Sequence, residues 1–279
     1  MVAAMAGFAL EDMILKSAAQ SLPIGQVMVI VGLIGMATFA ALARARGEAA
    51  LHPAMLSRPL LIRGLCEVTG RLFYALALAL TPLSQASAIL QATPLVVVAG
   101  AALIWGERVG ARRWAAILVG LAGVLVILRP GLAGFEPLSV LAVLGMLGFA
   151  GRDLATRAAP ASLGTLQLGV SGFGMLTVAG TILLGFTGGA VWPQGAEWPL
   201  LGAGAVCAVL AYSALTRAMR TGEVSAVTPF RYTRLVFAMI LGTAVFGERP
   251  DGTMLLGSAL VIGAGLSVLI RRRSAPESP

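Results

Sequence analysis

The residues able to do chemistry here are charged side chains placed where charge is costly. Glu11 and Asp12, Glu67 and Arg71, Arg152 and Asp153, and Arg231 and Arg234 all fall inside long apolar stretches. An ionised group at mid-bilayer depth costs about 2.5 to 3.5 kcal/mol even on a lenient insertion scale, so each needs a partner or a wet cavity. Glu67, Arg71 and Tyr74 follow an i, i+4, i+7 spacing and share one helix face. They read either as a self-neutralising ion pair or as part of a binding surface. Arg231 and Arg234 have no acid on their own stretch, so they take anions from elsewhere or snorkel to headgroups. Asp12 and Asp153 either join helices or act as counterions, each holding a base in one of two states.

With Lys16 and Arg157 nearer the span ends, the interior set holds four acids (Glu11, Asp12, Glu67, Asp153) against six bases. A bare cation is not favoured. Guanidinium grips carboxylate bidentately, so the pattern suits an amino acid or organic acid, with Glu67 receiving an ammonium end. Tyr74, Gln91, Tyr212 and Tyr232 add polar and aromatic surface, or else pack and anchor spans at the interface. Pro94 lacks an amide hydrogen and is expected to bend its span as a hinge. Gly145, Gly148 and Gly151, and Gly169, Gly172 and Gly174, form small-residue faces suited to close helix packing.

Other chemistries lack their parts. The chain has one histidine, His52, and two cysteines, Cys66 and Cys207, both in apolar stretches where thiols fill space. No HExxH, His-Ser or paired-Asp motif occurs. We expect no metal, no cofactor and no enzyme activity.

The elements that must position these residues are membrane spans. Of 279 residues, 58% are hydrophobic and 11% charged, with a mean hydropathy of +0.92. A span takes about 20 apolar residues, so the sequence predicts ten, at 2–19, 22–43, 60–80, 84–105 and 111–128, then 138–157, 164–187, 199–219, 225–246 and 252–270. The apolar N-terminus, without a basic n-region, reads as a retained first span and not a signal peptide. Arg44, Arg46, Arg58, Arg63, Arg108, Arg112, Arg113, Arg157, Arg217, Arg220 and Arg271–Arg273 then fall on one face, and Lys16, Arg129 and Arg249 on the other. The positive-inside rule makes the first face cytoplasmic and places both termini there. The net charge of +8 thus reports topology, not nucleic-acid binding.

The chain also repeats itself. Gly106-Glu107-Arg108 recurs as Gly247-Glu248-Arg249, an offset of 141 (248 less 107). The same offset pairs Asp12 with Asp153, Lys16 with Arg157, Gln26 with Gln167, Cys66 with Cys207 and Ser84 with Ser225. The expected organisation is a first repeat at 1–130, a Pro/Gly-rich linker at 131–137, a second repeat at 138–273 and a cytoplasmic tail at 274–279. Five spans per repeat is an odd number, so the halves must be inverted, which is a transporter arrangement. The fold class is all-α, a polytopic membrane protein of ten helices in two inverted five-helix repeats.

Ala92-Thr93-Pro94-Leu95 in the fourth span, the Gly-Glu-Arg motif, and a small-residue-rich fifth span ending Arg129-Pro130 resemble the EamA-type members of the drug/metabolite transporter superfamily. The resemblance covers essentially the whole chain. The second copy departs by placing Arg234-Leu235 where the first has Thr93-Pro94, so the two fourth-type spans need not bend alike. Glu11 is similar to the first-helix glutamate of the small multidrug members, although Arg152 holds its mirror position. The resemblance implies a ten-helix exporter of amino acids or related metabolites.

The expectation is a monomer in the inner cell membrane, in contact with lipid and a small solute. A central cavity is lined by spans 1, 3, 4, 6, 8 and 9, with spans 5 and 10 peripheral. The alternative is an uptake carrier or proton-coupled antiporter for nucleotide-like or drug-like solutes.

Overall fold

A computed structural model describes residues 1–106, 109–129, 136–156, 163–221 and 228–270. Eleven α-helices run through these segments: α1 (Val2–Ala18), α2 (Ile24–Ala45), α3 (Arg58–Leu80), α4 (Leu83–Leu90), α5 (Thr93–Trp105), α6 (Ala111–Leu128), α7 (Val140–Thr156), α8 (Thr165–Thr187), α9 (Glu197–Thr221), α10 (Thr233–Phe246) and α11 (Gly252–Ile270). A 3-10 turn at Thr228–Tyr232 leads into α10. No strand occurs among the described residues. Glu107, Arg108, Arg157, residues 131–135 of the linker and the 271–279 tail lie outside them.

Among the described residues, six stretches are long and apolar enough to cross a membrane: 24–45, 83–104, 111–128, 137–156, 165–187 and 197–218. The shorter α1 and the charge-bearing α3 fall outside that set. Burial has the polarity of a lipid-embedded bundle. Leu65, Leu103, Leu118 and Leu210 are each more than 60% exposed, while Glu11, Asp12 and Glu67 are at most 4% exposed. Water would select the reverse; hydrocarbon outside and a polar interior explain it.

Four helix pairs carry most of the packing: α2 along α8, α3 along α7, α6 along α11 and α1 along α9. Alpha1 also meets α10, and α7 meets α4 and α5. Glycines set the α3–α7 and α6–α11 spacings. A Cβ on Gly148 would stand 2.4 Å from the Gly70 nitrogen, and one on Gly123 would stand 2.8 Å from the Gly257 oxygen. A Cβ on Gly145 would stand 3.0 Å from Tyr74, one on Gly151 2.9 Å from Cys66 Sγ, and one on Gly169 2.7 Å from the Phe39 ring. The expected small-residue face does not extend to Gly172 and Gly174, whose nearest neighbours are at ordinary contact, 3.5 and 3.6 Å.

The fourth span is two helices. Alpha4 ends at Leu90, Gln91 and Ala92 interrupt it, and Pro94 stands in the first turn of α5, where its missing N–H costs nothing. In the ninth span α10 starts at the matching place, Thr233, directly after the 3-10 turn Thr228–Tyr232, which contains Pro229. The two interruptions touch: Gln91 Nε2 donates to the Arg231 carbonyl at 3.0 Å.

Near the ends of α1 and α10, contacts join segments distant in the chain. Glu248, reversed by the left-handed turn at Gly247 (φ 65°), accepts from Leu83 N at 2.5 Å, Ser84 N at 3.0 Å and Ser84 Oγ at 2.5 Å. It thereby caps the N-terminus of α4, where orphan N–H groups and the helix dipole favour a carboxylate. Lys16 Nζ lies 3.9 Å from the same carboxylate and donates to the Leu78 carbonyl at 3.0 Å. Beside them Arg129 pairs with Asp251.

Candidate functional site

Between the helix pairs lies a cavity of about 380 Å³. Its walls come from α1 (Phe8, Glu11, Asp12), α3 (Arg63, Glu67, Arg71, Tyr74), the α4–α5 break (Gln91, Thr93, Pro94), α7 (Phe149, Arg152, Asp153, Thr156), α9 (Tyr212, Thr216) and the 3-10 turn into α10 (Arg231, Tyr232, Arg234). Every residue singled out from the sequence as cavity-lining or hinge-forming is in that wall. Alpha2 and α8 add Met28, Leu168 and Leu176, beyond the six spans expected; α6 and α11 add nothing.

Local geometry explains the convergence. On α3, Arg63, Glu67, Arg71 and Tyr74 recur at helical spacing and so share one stripe. Adjacent Glu11 and Asp12 both point inward because α1 is packed on α9 and α10 together. The tightened turns at 91–92 and 228–232, where the α-helical bonding gives way to 3-10-type bonds, bring Gln91, Arg231 and Tyr232 to the cavity.

Two clusters organise the charge. In the first, Arg234 Nη2 lies 2.6 Å from Asp12 Oδ2, an oxygen that also accepts from Tyr74 at 3.1 Å. Arg234 also sits against the rings of Phe8 and Tyr74, at 5.3 and 5.7 Å. In the second, Glu67 meets Arg63 at 3.1 Å, Arg152 at 3.7 Å and Arg71 at 3.9 Å, and Arg152 pairs with Asp153 at 2.8 Å. Arg71 has Glu11 at 3.9 Å as well. The Arg231 side chain has no carboxylate within 4.0 Å among the described residues. The wall thus carries five guanidiniums (Arg63, Arg71, Arg152, Arg231, Arg234) and four carboxylates (Glu11, Asp12, Glu67, Asp153), a formal excess of one positive charge.

Three sequence readings need correction or addition. Arg63, assigned to the cytoplasmic face, is 6% exposed and belongs to the cavity, where its Nε donates to Thr156 Oγ1 at 3.1 Å. Its i, i+4 spacing to Glu67 was the available signal. Lys16, counted with the interior bases, lies outside the cavity wall, beside Glu248. Phe8 and Phe149 face the guanidiniums without having been singled out. Among the described residues no group of His, Cys, Asp and Glu could hold a metal ion, and Cys66 and Cys207 are free.

The profile of the EamA-like transporter family matches residues 1–129 and again 138–270. A riboflavin transporter of Rhizobium johnstonii is 34% identical over 203 residues, 71% of this chain and 67% of its own. The pseudopaline exporter CntI of Pseudomonas aeruginosa is 28% identical over 268 residues, 94% of this chain and 91% of its own. The aromatic amino acid exporter YddG of Ancylobacter novellus is 30% identical over 251 residues, 87% and 85% of the two chains. A solved crystal structure superposes with a TM-score of 0.63 at 25% identity, covering 98% of this chain and 99% of that one.

Proposed function

The chain belongs to the EamA-like transporter family, and from that premise we propose that it exports amino acids or related carboxylate metabolites by alternating access. The observation carrying this reading is the cavity wall, with five guanidiniums to four carboxylates in an otherwise apolar bundle. A buried excess of positive charge attracts an anionic group, and the planar guanidinium fork matches a carboxylate. Aromatic rings beside it suit an apolar or aromatic side chain.

The architecture we propose is ten spans in two inverted repeats, 1–130 and 138–273, joined by a linker, in the inner membrane of a bacterial cell with both termini cytoplasmic. The helix pairing supports it. Shifting by the repeat offset exchanges α1 with α7 and α3 with α9, so the α3–α7 contact becomes α9–α1, while α2–α8 and α6–α11 map onto themselves. A pseudo-twofold pairing of this kind supplies two equivalent rearrangements, one opening the cavity to each side. The proposed set of substrate-binding or cavity-lining residues is that expected from the sequence, with Arg63 added.

The test is a competition panel of amino acids against a labelled one in proteoliposomes. Inhibition that requires the α-carboxylate supports the reading; indifference to it removes the substrate class. Arg71→Ala is expected to abolish flux, and unchanged flux would count against the site. A second reading, uptake of nucleotide-like or flavin-like solutes, is favoured by the 34% identity to a protein named riboflavin transporter. An imposed pH gradient that drives such a solute inward, with amino acids inert, would select it.

A further inference from the structure

Glu67 is the most enclosed carboxylate of the wall, 2% exposed, and guanidiniums from two helices close on it. They do not hold it equally. Arg63 Nη1 is 3.1 Å from Oε2, an ion pair without hydrogen-bond alignment, and Arg63 Nε is tied back to Thr156. Arg152 and Arg71 stand off from Oε1 at 3.7 and 3.9 Å, too far for hydrogen bonds. Arg71 has Glu11 only at that same 3.9 Å, and its buried Nε has no hydrogen-bond partner among the described residues. Arg71 therefore presents donors that no resident acceptor uses, at the cavity surface. An ammonium group, by contrast, would have to reach Glu67 past three positive charges.

We infer that Glu67 is a resident stand-in for the substrate's carboxylate. In the empty carrier it neutralises Arg71, which has Glu11 only at the same 3.9 Å, and shares Arg152 with Asp153 at 2.8 Å; when substrate binds, the incoming carboxylate takes over the Arg71 donors, and Glu67 stays with Arg63 and Arg152. This rests on the carboxylate-export reading and gives Glu67 the opposite task to ammonium capture. The reason for such a device is electrostatic. Alternating access takes the site through an occluded state of low dielectric, where guanidiniums lacking a counterion are strongly disfavoured. A carboxylate must be present at that moment, from substrate or from Glu67. Because Glu67 is always there, the carrier returns empty, and net export needs no exchange partner.

Glu67→Gln and the unaltered protein, reconstituted in proteoliposomes with labelled phenylalanine as probe, separate the possibilities. The unaltered protein is expected to support both net efflux and counterflow against unlabelled phenylalanine. Glu67→Gln is expected to keep counterflow and to lose net efflux by about tenfold or more, because only the loaded form crosses. Equal loss of both modes, or unimpaired net efflux, overturns the inference. A second measurement does not depend on the transported solute. Glu67→Ala in detergent is expected to melt lower than the unaltered protein and to be restored by sodium acetate but not by ammonium chloride; no acetate-specific shift overturns the stand-in role. If the unaltered protein moves neither phenylalanine nor any other amino acid, the export reading fails, while the acetate response still decides the role of Glu67.

Discussion

Arg234 and Asp12 join opposite ends of the chain across the cavity: Nη2 and Nε of the arginine both donate to Oδ2 of the aspartate, at 2.6 and 3.2 Å, and Tyr74 donates to the same oxygen. Removing one partner strands a buried charge, which costs about 3 to 5 kcal/mol. Asp12→Asn and Arg234→Met are each expected to lower the melting temperature in detergent markedly, and the double variant to melt above the worse single one. Strictly additive losses would mean that the two are not coupled.

Close packing at Gly148 makes a sharper structural prediction. Gly148→Ala places its methyl 2.4 Å from the Gly70 nitrogen and 3.0 Å from the Cys66 oxygen, backbone atoms that cannot step aside, so a loss of about 1 to 3 kcal/mol is expected. Gly172→Ala, with Glu67 Oε1 at 3.5 Å, should be tolerated. Thermal unfolding of the pair decides it; equal melting temperatures would contradict the helix spacing.

Outside the membrane core, Asp251 offers a pH handle. The hydrogen bond from Arg129, helped by the Met254 backbone N–H, pulls its carboxyl from 3.8 down to about 2. A depressed folded pKa stabilises the fold above the unfolded value and loses that contribution as pH falls through the folded one. The unaltered protein should therefore lose a small increment of stability between about pH 4 and pH 2 that Asp251→Asn lacks. The side chain is half exposed, so solvent screening keeps the increment small. Parallel acid-melting curves for the two proteins over that window would refute it.

Pro94 is expected to be dispensable for the break in the fourth span. The interruption lies at Gln91–Ala92, ahead of the proline, which occupies the first turn of α5 where its missing N–H is not needed. Pro94→Ala should leave transport and melting close to those of the unaltered protein. Gln91→Leu, which removes the bond to the Arg231 carbonyl, should cost about 1 kcal/mol or more by leaving a buried acceptor unpaired. A large defect in Pro94→Ala with none in Gln91→Leu would reverse the assignment.

Much of the site was legible because ionised groups do not occur idly in apolar spans. Asp12, Glu67, Arg71 and Arg234 announce themselves by their cost. Arg63 escaped because it lies near the start of its span, where an arginine also reads as a topology marker. The break at Ala92 was invisible because alanine favours helix, and the nearby proline drew the expected bend two residues too late. The contact of Lys16 with Glu248 was unreadable for another reason: it joins the end of the first helix to the turn after α10, and no local periodicity encodes such a distance.

The carboxylate of Glu248 grips the first turn of α4, while α5, beyond the break, leans on α7. An eight-residue segment encoded in one half is thus harnessed to the other. Both pieces of that interrupted span therefore lean on the chain's second family match, α4 through Glu248 and α5 through α7.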